Sequence, residues 1–358
     1  MRKLASIKQI GSITPIEGKD RIVLATVDGW QVIVRKDEYK VGDWTIFCEP
    51  DSVLPALPQY EFLKSKKYRI KTMKMGGVLS QGICFPLSVL PEATYELDLD
   101  VTELMGITKY EPHPEKGPKT KRERVERPWY YKLLAKSRLT RWMLNKKDQK
   151  CWPEFIQKTD EDRIQNCPIF LQDKDTKYIV TEKVEGQSGT FALKRTRGWF
   201  RDKFEFIVCS RNVRKFTDDG MSFWKIAKKF DIERVLYEIL DGHDYVILQG
   251  ECVGPDIQGN IYKLNDYHFY AFNLIYPDRK VKSTEAIPIL KKANPELDWC
   301  PHVDLEYTLP DTVNELLDYA TGPSVIHPTM REGLVFRNYE KNISFKAVSP
   351  DYLIERGY

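Results

Sequence analysis

Residues 181–188 read Thr181-Glu182-Lys183-Val184-Glu185-Gly186-Gln187-Ser188. Just upstream, Tyr178–Thr181 is a short apolar, β-branched run of the kind that forms a strand, so Lys183 falls immediately past a strand end. The glycine three residues later lets the chain turn, which presents the amine at the floor of a pocket. An amine is a nucleophile only when neutral, and burial or neighbouring cations lower the pKa of a lysine. Alone, this spacing is common, and a lysine in a surface turn is the ordinary reading of it.

The order of residues downstream changes that reading. Cys209-Ser210-Arg211-Asn212 places Arg211 28 residues after Lys183. Gln249-Gly250-Glu251 comes next, with Glu251 at the end of a strand and 40 residues past Arg211. Phe272 stands in an aromatic strand, Tyr270-Ala271-Phe272-Asn273, and Arg331-Glu332-Gly333-Leu334-Val335-Phe336 comes 60 residues later. Ser344-Phe345-Lys346-Ala347-Val348-Ser349 closes the series, with Lys346 14 residues after Glu332.

This order resembles that of the covalent nucleotidyltransferases: RNA ligases, DNA ligases and mRNA-capping guanylyltransferases. Their blocks run KxDG, SR, a GE-containing strand, an aromatic strand, EG and a terminal lysine motif, and all six stand here in sequence across about residues 155–350. Within that superfamily the chain resembles the ATP-dependent RNA ligases with an N-terminal OB module, the Naegleria-type branch. Arg69-Ile70-Lys71-Thr72, Ser80-Gln81-Gly82 and Thr159-Asp160-Glu161-Asp162-Arg163-Ile164-Gln165-Asn166 add to the likeness.

The resemblance implies roles. Lys183 attacks the α-phosphate of ATP and becomes lysyl-AMP, with Glu182 and Glu185 beside it in the nucleotide site. Arg211 orients the nucleotide or the substrate phosphate, Phe272 stacks on adenine, Glu251 accepts from the ribose, and Lys346 neutralises the α-phosphate. Glu332, Glu251 and Glu185 hold hydrated Mg²⁺ or Mn²⁺, since magnesium keeps several waters and uses few carboxylates. The partner is RNA with 3′-hydroxyl and 5′-phosphate ends. Two positions depart from the family pattern. Glu185 stands where the aspartate of KxDG is usual, one methylene longer, and Ser344 stands where a KxK terminal motif has its first lysine.

The class expected is α+β: an N-terminal OB-like β-barrel, then a nucleotidyltransferase (ligase adenylation) domain. The chain has 358 residues, about two domains' worth. Residues 1–105 read as the barrel, with Ile22–Val27 and Trp30–Val34 flanking the tight turn Asp28-Gly29. Residues 106–150 read as a basic linker with an amphipathic helix near Trp129–Leu144, and residues 151–358 as the catalytic domain. Thr159 reads as the cap of a helix opening at Lys158–Arg163. Strands are expected at Tyr245–Gln249, Tyr267–Ile275, Gly333–Arg337 and Ile343–Val348, and helices at Phe223–Phe230 and Ile232–Leu240. Only 12 residues stand after Lys346, too few for the further OB domain that DNA ligases and capping enzymes carry after that motif.

Net charge is only +4 but uneven. Residues 114–150 hold 13 Lys/Arg against 4 Asp/Glu, a local +9 that leaves −5 elsewhere and suggests a polyanionic partner. In the barrel, Arg69, Lys71 and Lys74, with Trp30 or Tyr68 as a stacking ring, are the candidate RNA contacts. Seven scattered cysteines without a CxxC pair and five histidines argue against disulfides and structural zinc. No membrane span or signal peptide is legible, so an intracellular monomer is expected. The rival readings are a non-catalytic nucleic-acid-binding protein and a capping guanylyltransferase.

Overall fold

The computed structural model describes residues 3–110, 152–216, 218 and 220–358. The basic segment and the helix expected near Trp129–Leu144 lie outside the described residues. In the N-terminal module, β1 (Ala5–Pro15), β2 (Ile22–Val27), β3 (Trp30–Arg35) and β4 (Trp44–Cys48) precede the short β5 (Ser52–Val53), β6 (Met73–Met75), β7 (Val78–Ser80) and β8 (Ile83–Phe85). Five of them form an antiparallel sheet in the order β3-β2-β1-β4-β8. Long β1 serves two neighbours: Ala5–Gln9 pairs with β4 and Ile10–Pro15 with β2, with an irregularity between Ile10 and Ser12. Such a bulge bends a strand and lets a small sheet curl. Alternate residues of β2 and β3 face inward, giving a core of Val23, Ala25, Val27, Trp30, Val32 and Phe47. The last strand of the module, β9 (Thr108–Lys109), pairs with β5, so the module runs a few residues past 105.

The second domain holds two sheets. One has the order β10-β20-β19-β11-β18, from β10 (Asp162–Arg163), β11 (Lys177–Glu182), β18 (His302–Thr308), β19 (Gly333–Asn338) and β20 (Ile343–Val348). The other has the order β14-β13-β12-β15-β16-β17, from β12 (Gln187–Thr196), β13 (Lys203–Ser210), β14 (Arg214–Lys215), β15 (Tyr245–Val253), β16 (His268–Ile275) and β17 (Asp298–Trp299). Residues 183–186 are the crossing from the first sheet to the second.

Apolar faces explain the packing. In α1 (Ser222–Lys229) and α2 (Ile232–Ile239), Phe223, Ile226, Ala227, Ile232, Val235, Leu236 and Ile239 recur at helical spacing. That stripe packs on the second sheet, whose central strand β15 is buried along most of its length. Three helices complete the domain: α3 (Ser283–Ala293), α4 (Val313–Ala320) and α5 (Pro350–Glu355). A capping box on Thr312 and Glu315 starts α4. No helix among the described residues is long and apolar enough to cross a membrane. The six described cysteines are free thiols, five of them buried.

One expected element is absent. Lys158–Glu161 do not open a helix; Asp162 and Arg163 pair instead, in parallel, with Phe345 and Lys346 of β20. The acids that suit a helix N-terminus are used as ion-pair partners, Asp160 for Arg211 and Glu161 for Arg337.

The two domains are bolted together. At the β2–β3 turn the Gly29 N–H donates to the Gln165 carbonyl at 2.9 Å, and a Cβ on Gly29 would lie 2.8 Å from the Gln165 backbone. Trp30 is buried, and its indole N–H donates to Asn166 Oδ1 at 2.6 Å. It is therefore a core and interface residue, not a free stacking ring. Arg69 is also turned inward, 5% exposed, with Nη2 2.7 Å from Asp51 Oδ1 and Nη1 donating to the Gly357 carbonyl. Its guanidinium lies over the Tyr110 ring at 3.5 Å. The assignment of Arg69 to RNA is corrected accordingly: its guanidinium is buried, one end pairs with Asp51 of its own module and the other ties that module to Gly357 of the second domain. Lys74 pairs with Asp351 at 2.7 Å on the surface, another contact between the domains. Tyr68 gives its hydroxyl to Glu61.

Candidate active site

A cleft of about 560 Å³ opens between the two sheets of the second domain, with the N-terminal module contributing Asp51, Lys109 and Tyr110 to its rim. Lys183, Glu182, Glu185, Arg211, Glu251, Phe272, Glu332 and Lys346 all line it. Residues from six separate blocks of sequence thus meet in one cavity. Lys71 and Lys74 are not among its lining residues.

The backbone fixes the lysine. Its N–H donates to the Gly333 carbonyl at 2.9 Å, and the preceding Glu182 N–H donates to the Pro301 carbonyl at 2.8 Å. Gly186 is required by proximity: a Cβ there would stand 2.4 Å from the Cys252 carbonyl oxygen and 2.9 Å from Glu251 Cγ. The glycine of the lysine motif therefore lets the turn press against β15, where Glu251 is. The Glu185 N–H donates to the Tyr262 hydroxyl at 2.8 Å and anchors the same turn.

Charge is concentrated at the amine. Lys183 Nζ lies 2.6 Å from Glu332 Oε2. Burial works against the ammonium, but Glu332 and then Glu251 outweigh it and hold its pKa above the ordinary lysine value. Without nucleotide the nucleophile is therefore a protonated, ion-paired ammonium. Burial drives Glu251 the other way, up to about 8, with Lys183 opposing and Glu332 adding to the rise. Burial also raises Glu185, although the Tyr352 hydroxyl bonds to it.

These three carboxylates do not form a metal cage: among the described residues, no group of three or more His, Cys, Asp or Glu side chains is arranged to hold an ion. Glu332 is in contact with Lys183 and Glu185 with the Tyr352 hydroxyl, so the expected carboxylates would meet a cation through its waters rather than as a ring of direct ligands. What fits is a hydrated cation held mainly by nucleotide phosphates. Glu185 Oε2 is buried in the cleft wall without a hydrogen-bond partner and would accept from a water of such a cation.

Phe272 owes its position to a break in register. Gln249 pairs with Asn273 and Gly250 with Ala271, so Phe272 is the extra residue of a bulge in β16. A bulge re-aims a side chain, and here it points the ring into the cleft. Glu182 lines the cavity but is almost wholly buried, accepting from Ser324 Oγ at 2.6 Å and the Val325 N–H at 2.7 Å. It positions the 324–325 loop beside the lysine. Arg211 pairs with Asp160 at the rim, where Arg211, Lys109 and Lys346 outweigh burial and keep the Asp160 carboxyl low.

Arg337 escaped the motif reading. It is 5% exposed, lines the cleft, and lies opposite Ser344 in the β19–β20 register. It donates to Thr181 Oγ1 at 3.2 Å and Glu161 Oε1 at 3.3 Å, with its guanidinium 5.8 Å from the Phe272 ring. The signal for it was present: Val335 and Arg337 alternate onto the face that Lys346 shares from the next strand. A cation thus stands across from the position where Ser344 replaces a lysine.

Comparison with known proteins bears on both domains. Residues 4–87 match an OB-fold domain family, and residues 176–348 match the RNA ligase family. No curated protein matches the chain. Among solved structures it is similar to Naegleria gruberi RNA ligase with pyrophosphate, at 31% identity over 100% of this chain and 99% of that one, TM-score 0.80. A variant of that enzyme with ATP and manganese gives 30% identity, 99% coverage of both chains and a TM-score of 0.80. A ligand-free variant gives 30%, 99% of both and 0.81.

Proposed function

The chain belongs to the RNA ligase family and is an ATP-dependent RNA ligase; from that premise we propose that Lys183 carries the AMP and that the ends joined are a 3′-hydroxyl and a 5′-phosphate. The observation that carries the reading is the Lys183 amine, 2.6 Å from Glu332 in a cleft that every other motif block also lines.

Sealing takes three transfers. The ammonium of Lys183 gives up its proton to solvent as it leaves the Glu332 carboxylate it is paired with, and the neutral amine attacks the α-phosphorus of ATP. A nitrogen–phosphorus bond forms as the bond to the bridging oxygen breaks, and pyrophosphate leaves. Lys346 and Arg211 meet the negative charge on the α-phosphate, because phosphoryl transfer needs positioning and charge neutralisation more than further covalent help. The adenine ring lies on Phe272, with Arg337 behind. Glu185 would hold a hydrated magnesium or manganese ion through its waters, and the positive charge supplied there would favour the neutral amine.

In the second transfer an oxygen of the RNA 5′-phosphate attacks the lysyl-AMP phosphorus, and the lysine leaves as an amine that regains its proton. In the third, the 3′-hydroxyl attacks the 5′-phosphate of the RNA-adenylate and AMP departs. End specificity is tested directly. With ATP and magnesium, RNA bearing a 5′-phosphate and a 3′-hydroxyl is sealed, and removing the 5′-phosphate or adding a 3′-phosphate abolishes sealing. Joining of 5′-hydroxyl ends would overturn the assignment.

A further inference from the structure

The β12–β13 hairpin is an arm rooted in the active site. Gln187 and Ser188 at the start of β12, and Ser210 and Arg211 where β13 ends, all line the cleft. The two strands pair without interruption from Gly189↔Ser210 to Thr196↔Lys203. Eight residues separate Ser188 from Thr196, so the tip lies about 27 Å along the strand from the cleft at ~3.4 Å per residue.

That tip is built unlike an ordinary solvent turn. Trp199 and Phe200 are each 96% exposed, although large aromatics are the side chains that gain most from burial. The patch continues down β13 in Phe204, itself 42% exposed and edge-on to exposed Tyr237 at 5.0 Å. Cations surround it. Residues 194–203 read Lys-Arg-Thr-Arg-Gly-Trp-Phe-Arg-Asp-Lys, five cations and one acid, so these ten residues carry as much net charge, +4, as the whole chain. Arg195 and Arg197 are partly neutralised by Asp244. Arg201 and Lys203 are exposed.

We propose that this hairpin tip is a distal RNA-binding platform, on which Trp199 and Phe200 stack unpaired bases while Arg197, Arg201 and Lys203 meet the flanking phosphates. Exposed rings among cations are the combination that binds single strands without sequence preference. A polyanion is the occupant that the charge favours, and the root of the arm lies where the RNA end must enter. The proposal rests on the ligase reading and extends it from the reacting ends to the body of the strand. At ~3.4 Å per stacked nucleotide, a strand held at Lys183 needs about eight nucleotides to reach the tip.

The test is the KM for RNA in sealing by the full chain, compared between Trp199→Ala/Phe200→Ala and wild type. Two substrates are used, one of about 20 nucleotides and one of about five, bracketing that reach. Each stacked base lost costs several-fold or more in affinity. The double variant is therefore expected to raise KM for the long RNA at least about tenfold. KM for the short RNA and the rate of lysyl-AMP formation stay unchanged. Arg201→Glu, which removes no aromatic surface, gives the same length-dependent rise. An unchanged KM for long RNA, which would leave the patch to a protein partner, overturns the proposal. So does an equal rise for both lengths. A wild type that forms no lysyl-AMP would instead defeat the ligase reading itself, which keeps the two failures apart.

Discussion

Replacing Gly186 by alanine tests the geometry of the lysine turn with a single methyl group. The added Cβ would stand 2.4 Å from the Cys252 carbonyl oxygen, 2.9 Å from Glu251 Cγ and 2.9 Å from Val253 Cγ1, whereas ordinary contact begins near 3.4 Å. The closest neighbour is backbone of β15, which is held on both sides by β12 and β16 and cannot yield. The turn carrying Lys183 must therefore retreat by about 1 Å, and it cannot do so without drawing the amine away from Glu332 and Glu251. A misplacement of that size at a reacting group costs on the order of 100-fold in rate, while the overpacking itself destabilises by about 1–3 kcal/mol. The assay is single-turnover transfer of labelled AMP from ATP to the protein, with thermal melting of the same samples. Gly186→Ala is expected to remain folded, melt a few degrees lower and adenylylate about 100-fold more slowly. Wild-type transfer together with a wild-type melting temperature would refute the reasoning, because it would mean that the close approach at Gly186 does not set the position of the lysine.

Other expectations concern charge. Glu332→Gln removes the carboxylate in contact with Lys183, the first of the two that raise it, so the midpoint of the pH–rate profile for adenylylation should fall even as the plateau rate drops; an unmoved midpoint would contradict the ion pair as its cause. Glu251, raised by burial from 4.5 to about 8, contributes stability that is complete below about 4.5 and lost as pH rises through about 8. Glu251→Gln should thus melt higher than wild type at pH 8 and show no such gain at pH 4.5, with AMP transfer reduced throughout; equal melting at both pH values would count against it. Arg69→Ala leaves Asp51 without its better partner, and breaking a buried pair costs about 3–5 kcal/mol. Denaturant midpoints should fall while the salt dependence of RNA binding holds; the reverse pattern would restore Arg69 as a phosphate contact.

The catalytic sheet was legible because its motifs sit on regular strands. Ile343–Val348 is the strand that the sequence predicts, residue for residue, and β11, β15 and β19 differ only at their ends. The order of the motifs located the lysine, its carboxylates and the aromatic ring, and all of them line one cleft. What escaped depended on contacts that periodicity does not report. Arg69 looks like an exposed phosphate ligand until Gly357, 288 residues away, is placed beside it. Asp160 and Glu161 look like helix-start acids until Arg211 and Arg337 claim them. The bulge at Phe272 is invisible in an aromatic alternation, since register is fixed between strands and not within one. Arg337 was missed because it lies one residue beyond the glutamate motif, on a face defined only once β19 is paired with β20.

The chemical identity of the adenylylated residue is the measurement that bears most directly on the assignment of Lys183 as nucleophile. Protein incubated with ATP and magnesium, without RNA, is digested under alkaline conditions that spare a phosphoramide, and the peptides are sequenced by mass spectrometry. The expected result is one AMP per chain, on the ε-nitrogen of Lys183, and none on Lys183→Ala protein that melts as wild type does. An AMP mapped to any other residue, or wild-type adduct on the Lys183→Ala chain, would contradict the assignment.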